Sequence, residues 1–341
     1  MKVAVLYNQP LDDTDQSDLD VLVQRDAVSE SLQRLGHDVV HLSCTLNLET
    51  ARRQLIAHQP DAVFNLVESL AGTDRLMAAA TLLLEAMRLP FTGANSVSLL
   101  ETSAKPVAKQ RLVDAGLPTP AWRIPESGAH ICPRSDSEIR PDCWILKPVW
   151  EHASVGMTDD AVITANSEEE LQQRLRDWQQ TTGRPCFAEE FIAGREFNLS
   201  VLDGQALPPA EIDFSAFPQH KPRIVGQDAK WNSDSFEYHQ TPRTFTFATD
   251  DSDLLKQLQL NALRCAELFN MSAYCRVDFR VDQQGRPWIL EINANPCLSP
   301  DAGFAAAVAQ SGFTFDSAID RVLQHATAEN ILNADRSLKP R

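Results

Sequence analysis

Residues 275–295 read Cys-Arg-Val-Asp-Phe-Arg-Val-Asp-Gln-Gln-Gly-Arg-Pro-Trp-Ile-Leu-Glu-Ile-Asn-Ala-Asn, and alternation on both sides of a turn predicts a β-hairpin. On the first strand Cys275, Val277, Phe279 and Val281 share one face, so Arg276 and Asp278 share the other. Gln-Gly-Arg-Pro supplies the turn. On the return strand Leu290 and Ile292 are expected on one face, leaving Glu291 and Asn293 together on the opposite one. An arginine, two carboxylates and an amide oxygen thus converge on one side of the ribbon. Such hard oxygen donors suit magnesium, which normally sits between one or two carboxylates and the phosphates of a nucleotide. A Glu-x-Asn alone is ordinarily a solvated strand end; the Arg-x-Asp strand paired with it is what points to a metal.

Length and composition narrow the function further. At 341 residues, 43% of them hydrophobic, the chain exceeds the size at which a single core stops growing, so two or three subdomains are expected. A formal charge of −16 argues against a nucleic-acid partner, because binding to a phosphate backbone rests on accumulated Lys and Arg. A nucleotide needs only a local cluster, and Lys105, Lys147, Lys230 and Arg276 can supply one. Seven cysteines without Cys-x-x-Cys spacing argue against a disulfide framework and against structural zinc. The apolar run near Met1 is too short for a signal peptide, and no segment approaches the ~18 apolar residues of a membrane span. A cytoplasmic location is expected.

Residues 1–94 alternate strand and helix signals. Val3–Tyr7, a helix over Val21–Leu35 closed by Gly36, Val39–Leu42 and Ala62–Leu66 together predict a parallel sheet with helices packed on it. No Gly-x-Gly-x-x-Gly follows the first strand, which disfavours a nicotinamide cofactor. A helix over Ser103–Ala115 carries Pro106 in its first turn and Gly116 past its end, with Lys105 at its amino terminus. Residues 95–188 read as a small α+β subdomain containing an acidic helix, Glu168–Gln180, and residues 189–341 as a larger one. Within the latter, 213–247 lacks periodicity and is too long for an ordinary connection, which predicts a lid. The tail beyond Ala326 is expected to be peripheral.

Four further blocks belong with the hairpin. They are Lys147-Pro-Val-Trp-Glu-His-Ala-Ser154-Val155-Gly156, Glu189-Glu190-Phe-Ile192-Ala-Gly-Arg-Glu196, Lys230-Trp231, and Glu291-Ile-Asn293-Ala-Asn-Pro-Cys297. In order and spacing, over most of the chain, these resemble the ATP-grasp superfamily in its D-alanine:D-alanine ligase-like branch. The resemblance implies an ATP-grasp fold, mixed α/β and α+β, with a Rossmann-like N-terminal domain and two ATP-grasp subdomains. It also implies an ATP-dependent carboxylate–amine ligase that works through an acyl phosphate on small-molecule carboxylate and amine substrates, releasing ADP and phosphate. ATP and Mg2+, as two ions for which Mn2+ can substitute, are the implied cofactors, and family members are often homodimers. Asp278, Glu291 and Asn293 would hold the metal, with Glu291 bridging. Lys147 and Lys105 would contact the inner phosphates, Lys230 the γ-phosphate, and Ser154, Val155 and Gly156 would present backbone N–H groups. Glu189 would contact the adenine amino group, the backbone of Glu190 and Ile192 its remaining edge, and Glu196 the ribose. Arg276 would receive the oxyanion of the tetrahedral centre, with a backbone N–H near Cys297.

The substrate sides depart from the family pattern. The usual Gly-Gly-x-Ser-x-Glu is missing, so Asp18 or Asp20, at the end of an acidic loop, is expected to replace its Glu on an ammonium group, a helix amino-terminal charge being the equally open reading of either. Glu68 and Trp231 are expected beside substrate. Ala153 stands where a second Ser is common, Cys297 where a Gly is usual, and Ala302 where a Ser holds the acceptor carboxylate. Cys297 is expected to shape the acceptor pocket rather than to act as a nucleophile, and the absent hydroxyl at Ala302 predicts that D-alanine is a poor acceptor. An intramolecular ring-closing ligase and an authentic D-alanine:D-alanine ligase stay open as alternatives. A non-catalytic ATP-binding module is disfavoured by the retained Arg276 and metal ligands.

Overall fold

The structure, a computed structural model, describes residues 1–12, 16–125, 143–152, 154, 156–271 and 273–337, with side chains described up to residue 328. In the first of its sheets β1 (Lys2–Asn8), β2 (Asp38–Cys44) and β3 (Ala62–Asn65) run parallel in the order β2-β1-β3. Helices cover both faces of β1, so Val3 to Leu6 are all buried and the strand reads as an unbroken apolar run. The helix after β1 spans Gln16–Arg34 and so begins before the expected Val21, with Asp18 in its first turn, where a negative charge suits the positive helix end.

The second sheet is antiparallel and comprises β4 (Trp122–Arg123), β5 (Cys143–Pro148), β6 (Val162–Thr164) and β7 (Cys186–Glu190), ordered β4-β7-β5-β6. Its covering helix, Glu168–Thr182, is capped by the Ser167 side chain and ends on Gly183 in the left-handed conformation, so both ends are specified locally. Leu171 and Leu175 of that helix pack on Trp144 and Leu146.

The third sheet contains β8 (Gly194–Leu202), β9 (Gln205–Ala206), β10 (Ala210–Ile212), β11 (Arg243–Thr244), β12 (Tyr274–Asp282) and β13 (Pro287–Asn293), with the main order β11-β10-β8-β12-β13 and β9 pairing β8. One face packs on the helix Ser252–Leu268 through Val277, Phe279, Leu258 and Ala262. The hairpin β12–β13 forms as expected, with Arg276 opposite Asn293 and Asp278 opposite Glu291. Its alternation is corrected at one point. A register shift beyond Asp278 pairs Phe279 with Ile289, leaving Leu290 as an extra residue on β13. Ile289 and Ile292 therefore both enter the core, while Leu290 joins Glu291 in lining the cavity instead of sharing a face with Ile292.

One expectation about an irregular segment also changes. Residues 213–247 hold the short helices Gln227–Trp231 and Phe236–His239 as well as β11, and they have an aromatic anchor. Phe217 lies 5.1 Å from Phe214 and 5.4 Å from Phe236 between ring centroids, which gives the segment packing of its own. The C-terminal tail is a helix, Phe315–Ser337, whose Ala318, Ile319, Val322 and Leu323 pack on Val3, Val5 and Phe64. Arg34 and Asp316 clamp it with hydrogen bonds of 2.7 and 2.9 Å. These packing residues all precede Ala326, so the buried part of the helix ends where the tail expected to be peripheral begins.

Candidate active site

All three sheets contribute to a cavity of about 630 Å³. Eighteen of the residues singled out by sequence line it: Asp18, Asp20, Glu68, Lys105, Lys147, Ser154, Glu189, Glu190, Ile192, Glu196, Lys230, Trp231, Arg276, Asp278, Glu291, Asn293, Cys297 and Ala302. Val155 and Ala153 lie outside the described residues. Gly156 does not line the cavity; its N–H donates to Gln227 Oε1 of the 213–247 segment at 2.9 Å, an acceptor that only the fold of that segment brings near. Ser154 Oγ donates to Val225 O at 2.7 Å, and a Cβ at Gly226 would stand 2.6 Å from Met157 O, so the stretch 154–157 and the segment 213–247 touch closely.

The hairpin face is tightly ordered. Arg276 grips Asp278 through two hydrogen bonds of 2.8 Å, and Asn198 Nδ2 donates to the same carboxylate at 2.8 Å. This pairing holds the guanidinium firmly charged; burial opposes that, and the Asp278 carboxylate overcomes it. Glu291 accepts from His152 Nδ1 at 2.5 Å and lies 3.7 Å from Lys105 Nζ. Burial alone would raise its pKa, but Lys105, His152 and Lys230 hold it well below the ordinary carboxylate range, so it is ionised. Asn293 Oδ1 accepts the Asn295 N–H at 3.0 Å, which fixes the amide's orientation.

The donor set fits magnesium shared with a nucleotide. Two carboxylates and one amide oxygen on adjacent strands are hard ligands that fill part of an octahedron and leave the rest to phosphate and water. Among the described residues no group of three or more His, Cys, Asp and Glu could hold a metal ion by itself.

Glu189, which lines the cavity, is 1% exposed, and its carboxylate lies 2.5 Å from both Lys109 Nζ and Lys147 Nζ. Two ammonium groups hold that carboxylate ionised and in place, and its two oxygens keep further acceptor positions. Lys109, which sequence reasoning missed, also donates to Thr119 Oγ1 at 2.7 Å, and desolvation pushes its pKa down to about 8. Its position four residues after Lys105, one helical turn on, was the available signal. Glu196 pairs with Arg280 at 3.0 Å, while burial raises its pKa. Lys230 lies near Arg276, Glu291, Asp278 and Glu196; burial, and then the Arg276 charge, lower its pKa.

At the opposite end Asp18, in the first turn of its helix, ties down the chain that leads into it, its Oδ2 accepting the N–H groups of Leu11 and Asp12 at 3.3 and 3.2 Å. Asp20 reaches further in. It accepts from Cys297 Sγ at 3.1 Å, Ser299 Oγ at 2.8 Å and Gln24 Nε2 at 3.1 Å. Gln24 also donates to Glu68 at 2.9 Å. Burial, then the charges of Asp20 and Asp74, push Glu68 up to about 8. Burial also raises the Cys297 thiol well above its ordinary value, so it is a donor to Asp20 and not a thiolate. His152, Asn198, Asp74 and Arg243 are further cavity residues that motif reading passed over. Among the described residues no helix is long and apolar enough to cross a membrane.

The comparisons with known proteins agree with this geometry. The family described as D-ala D-ala ligase C-terminus matches residues 129–324. A D-alanine–D-alanine ligase of Aquifex aeolicus is 27% identical over 297 residues, covering 87% of this chain and 92% of the relative. The uncharacterized protein y4sG of Sinorhizobium fredii is 27% identical over 311 residues, covering 88% and 86%. The crystal structure of a D-alanine–D-alanine ligase from Bacillus anthracis complexed with ATP matches with a TM-score of 0.71 at 18% identity, covering 98% of this chain and 99% of that one, a likeness of fold. The chain thus has the ATP-grasp fold and belongs to the D-ala D-ala ligase family, as an ATP-dependent ligase that forms an amide bond.

Proposed function

We propose that the protein activates the carboxylate of a small amino-acid-like molecule as an acyl phosphate and transfers the acyl group to the amine of a second molecule. The observation that carries this reading is the convergence of Arg276, Asp278, Glu291 and Asn293 with Lys105, Lys147 and Lys230 in one cavity. In this reading residues 1–94 grip the first substrate, 95–188 and 189–341 clasp the nucleotide between them, and 213–247 is the lid.

A carboxylate attacking the γ-phosphoryl group meets a like charge, and screening that repulsion is the main task of the site. Lys105 and Lys147 come from different elements and reach the phosphate path from two sides. Lys230 comes with the lid and adds its charge only when the lid is down. Magnesium, held by Asp278, Glu291 and Asn293, would supply further neutralisation and align the phosphates. The amine then attacks the acyl carbon, and Arg276, fixed in place by Asp278, donates to the oxyanion that develops. Glu190 and Ile192 present the hinge backbone to the adenine edge, Ser154 lines the phosphate path, and Trp231 walls the substrate side.

The test is release of ADP on addition of single and paired amino acids and dipeptides, with mass analysis of the products. A product heavier than either substrate, with one water lost, supports the intermolecular reading. Loss of water from a single molecule shows ring closure. Absence of ADP release with the whole panel removes the reading.

A further inference from the structure

Arg243, the first residue of β11, lies outside every motif that carries the family resemblance, and it reaches the same part of the cavity as Ala302. Its Nη1 donates to Asp301 O at 3.2 Å, and a Cβ at Gly303 would stand 3.3 Å from its Nε, so the guanidinium lies along the 301–303 turn. That is its one hydrogen bond among the described residues, and no carboxylate of those residues forms an ion pair with it. Most of its five N–H donors therefore remain for a ligand. The side chain is solvent-exposed at the cavity wall. Arg276 is close enough to oppose its charge, with Asp301, Cys297 and Asp278 as the nearby acidic groups. Asp278 is already chelated by Arg276, and the Cys297 thiol stays protonated.

Two like charges facing one space repel each other unless an anion joins them. The anion that matches a guanidinium fork is planar and accepts two parallel hydrogen bonds, as a carboxylate does. Resting on the ligase reading above, we propose that Arg243 holds the carboxylate of the amine-bearing substrate, in place of the hydroxyl absent at Ala302. The acceptor is then an amine that itself carries a carboxylate, not a simple amine. The expectation that D-alanine is a poor acceptor rested on Ala302 alone, and the proposal replaces it with a testable preference for acceptors that carry a carboxylate.

The experiment compares ADP release by the wild type, Arg243→Ala and Arg243→Lys. Acceptors are amino acids, both enantiomers of alanine among them, and their matching carboxamides. Wild type is expected to prefer acid over amide by about tenfold or more. Arg243→Ala is expected to raise KM for the acid about ten- to a hundredfold, to erase the acid-over-amide preference and to leave KM for ATP unchanged. Arg243→Lys keeps the charge without the fork and is expected to fall between the two. It carries the test by itself if the alanine variant does not fold. An unchanged acceptor KM overturns the proposal, as does a parallel rise in KM for ATP, which would place Arg243 on phosphate. Wild type that releases no ADP with any acceptor overturns the ligase reading itself, whereas active wild type with indifferent Arg243 variants overturns this proposal alone.

Discussion

At the end of the cavity proposed to hold the nucleotide Glu189 lies between Lys109 and Lys147 and Glu196 pairs with Arg280, whereas at the end proposed for substrate Arg243 has no ion partner among the described residues and Glu68 is pushed up to about 8 by burial. The first arrangement is a set of charges fixed within the fold. The second leaves electrostatic demand for a ligand to meet. A site built this way keeps one geometry for the ligand that every turnover shares, and it lets specificity vary where single residues face open cavity.

The largest expected effect tests the shared end. Glu291→Gln should lower kcat by at least about a thousandfold, since it removes an ionised group placed where phosphate charge must be neutralised. Far-ultraviolet circular dichroism should stay the same. Residual activity above about a tenth of wild type would withdraw Glu291 from the metal site.

Next comes the buried triad. Lys109→Ala leaves Glu189 with only Lys147, and a buried carboxylate that loses one of its partners should destabilise the fold by about 3 kcal/mol in urea denaturation. An unchanged midpoint would mean that the triad is not a fixed element of the fold.

Lys230→Ala should slow phosphoryl transfer about a hundredfold in single-turnover measurements while hardly changing adenosine affinity, because the ammonium meets the γ-phosphate and not the base. Equal losses of adenosine and ATP affinity would show that this helix is not a phosphate lid.

The smallest effect probes the substrate end. Glu68 is raised from 4.5 to about 8, so the folded protein binds its proton more tightly than the unfolded chain does. Its contribution to stability is complete below about pH 4.5 and is lost as pH rises through about 8. Between about pH 6 and about pH 9 the wild type should lose a few more degrees of melting temperature than Glu68→Gln, which has no proton to lose. Parallel pH curves for the two proteins would remove Glu68 as a buried acid.

Much of this division was legible in the residues. Alternation in 275–295 located the hairpin and placed Arg276, Asp278, Glu291 and Asn293 on its open face, because side-chain direction in a strand follows from local geometry alone. The bulge at Leu290 escaped that logic, since an extra residue is set by how β13 meets its neighbour and not by its own composition. Lys109 and Arg243 escaped for a related reason. Each matters through a partner or a cavity wall distant in sequence, Glu189 for the first and the 301–303 turn for the second. For Asp18 sequence shows the charge, which left a substrate contact and a helix-terminal charge both open, but not the two backbone N–H groups that engage its carboxylate.

The helix Phe315–Ser337 carries a consequence for how the chain is made. It completes the core over β1 and β3, and the Arg34–Asp316 clamp joins residues 282 positions apart. On the ribosome the first sheet emerges long before this cover exists, so one apolar face of the earliest folded element waits in solvent for most of translation. Closing so long a loop costs entropy before any contact repays it, which makes docking of the final helix a late event in folding. Chains interrupted before residue 315 would present Val3, Val5 and Phe64 as an open sticky surface, the kind that chaperones bind and that stalled fragments use to aggregate.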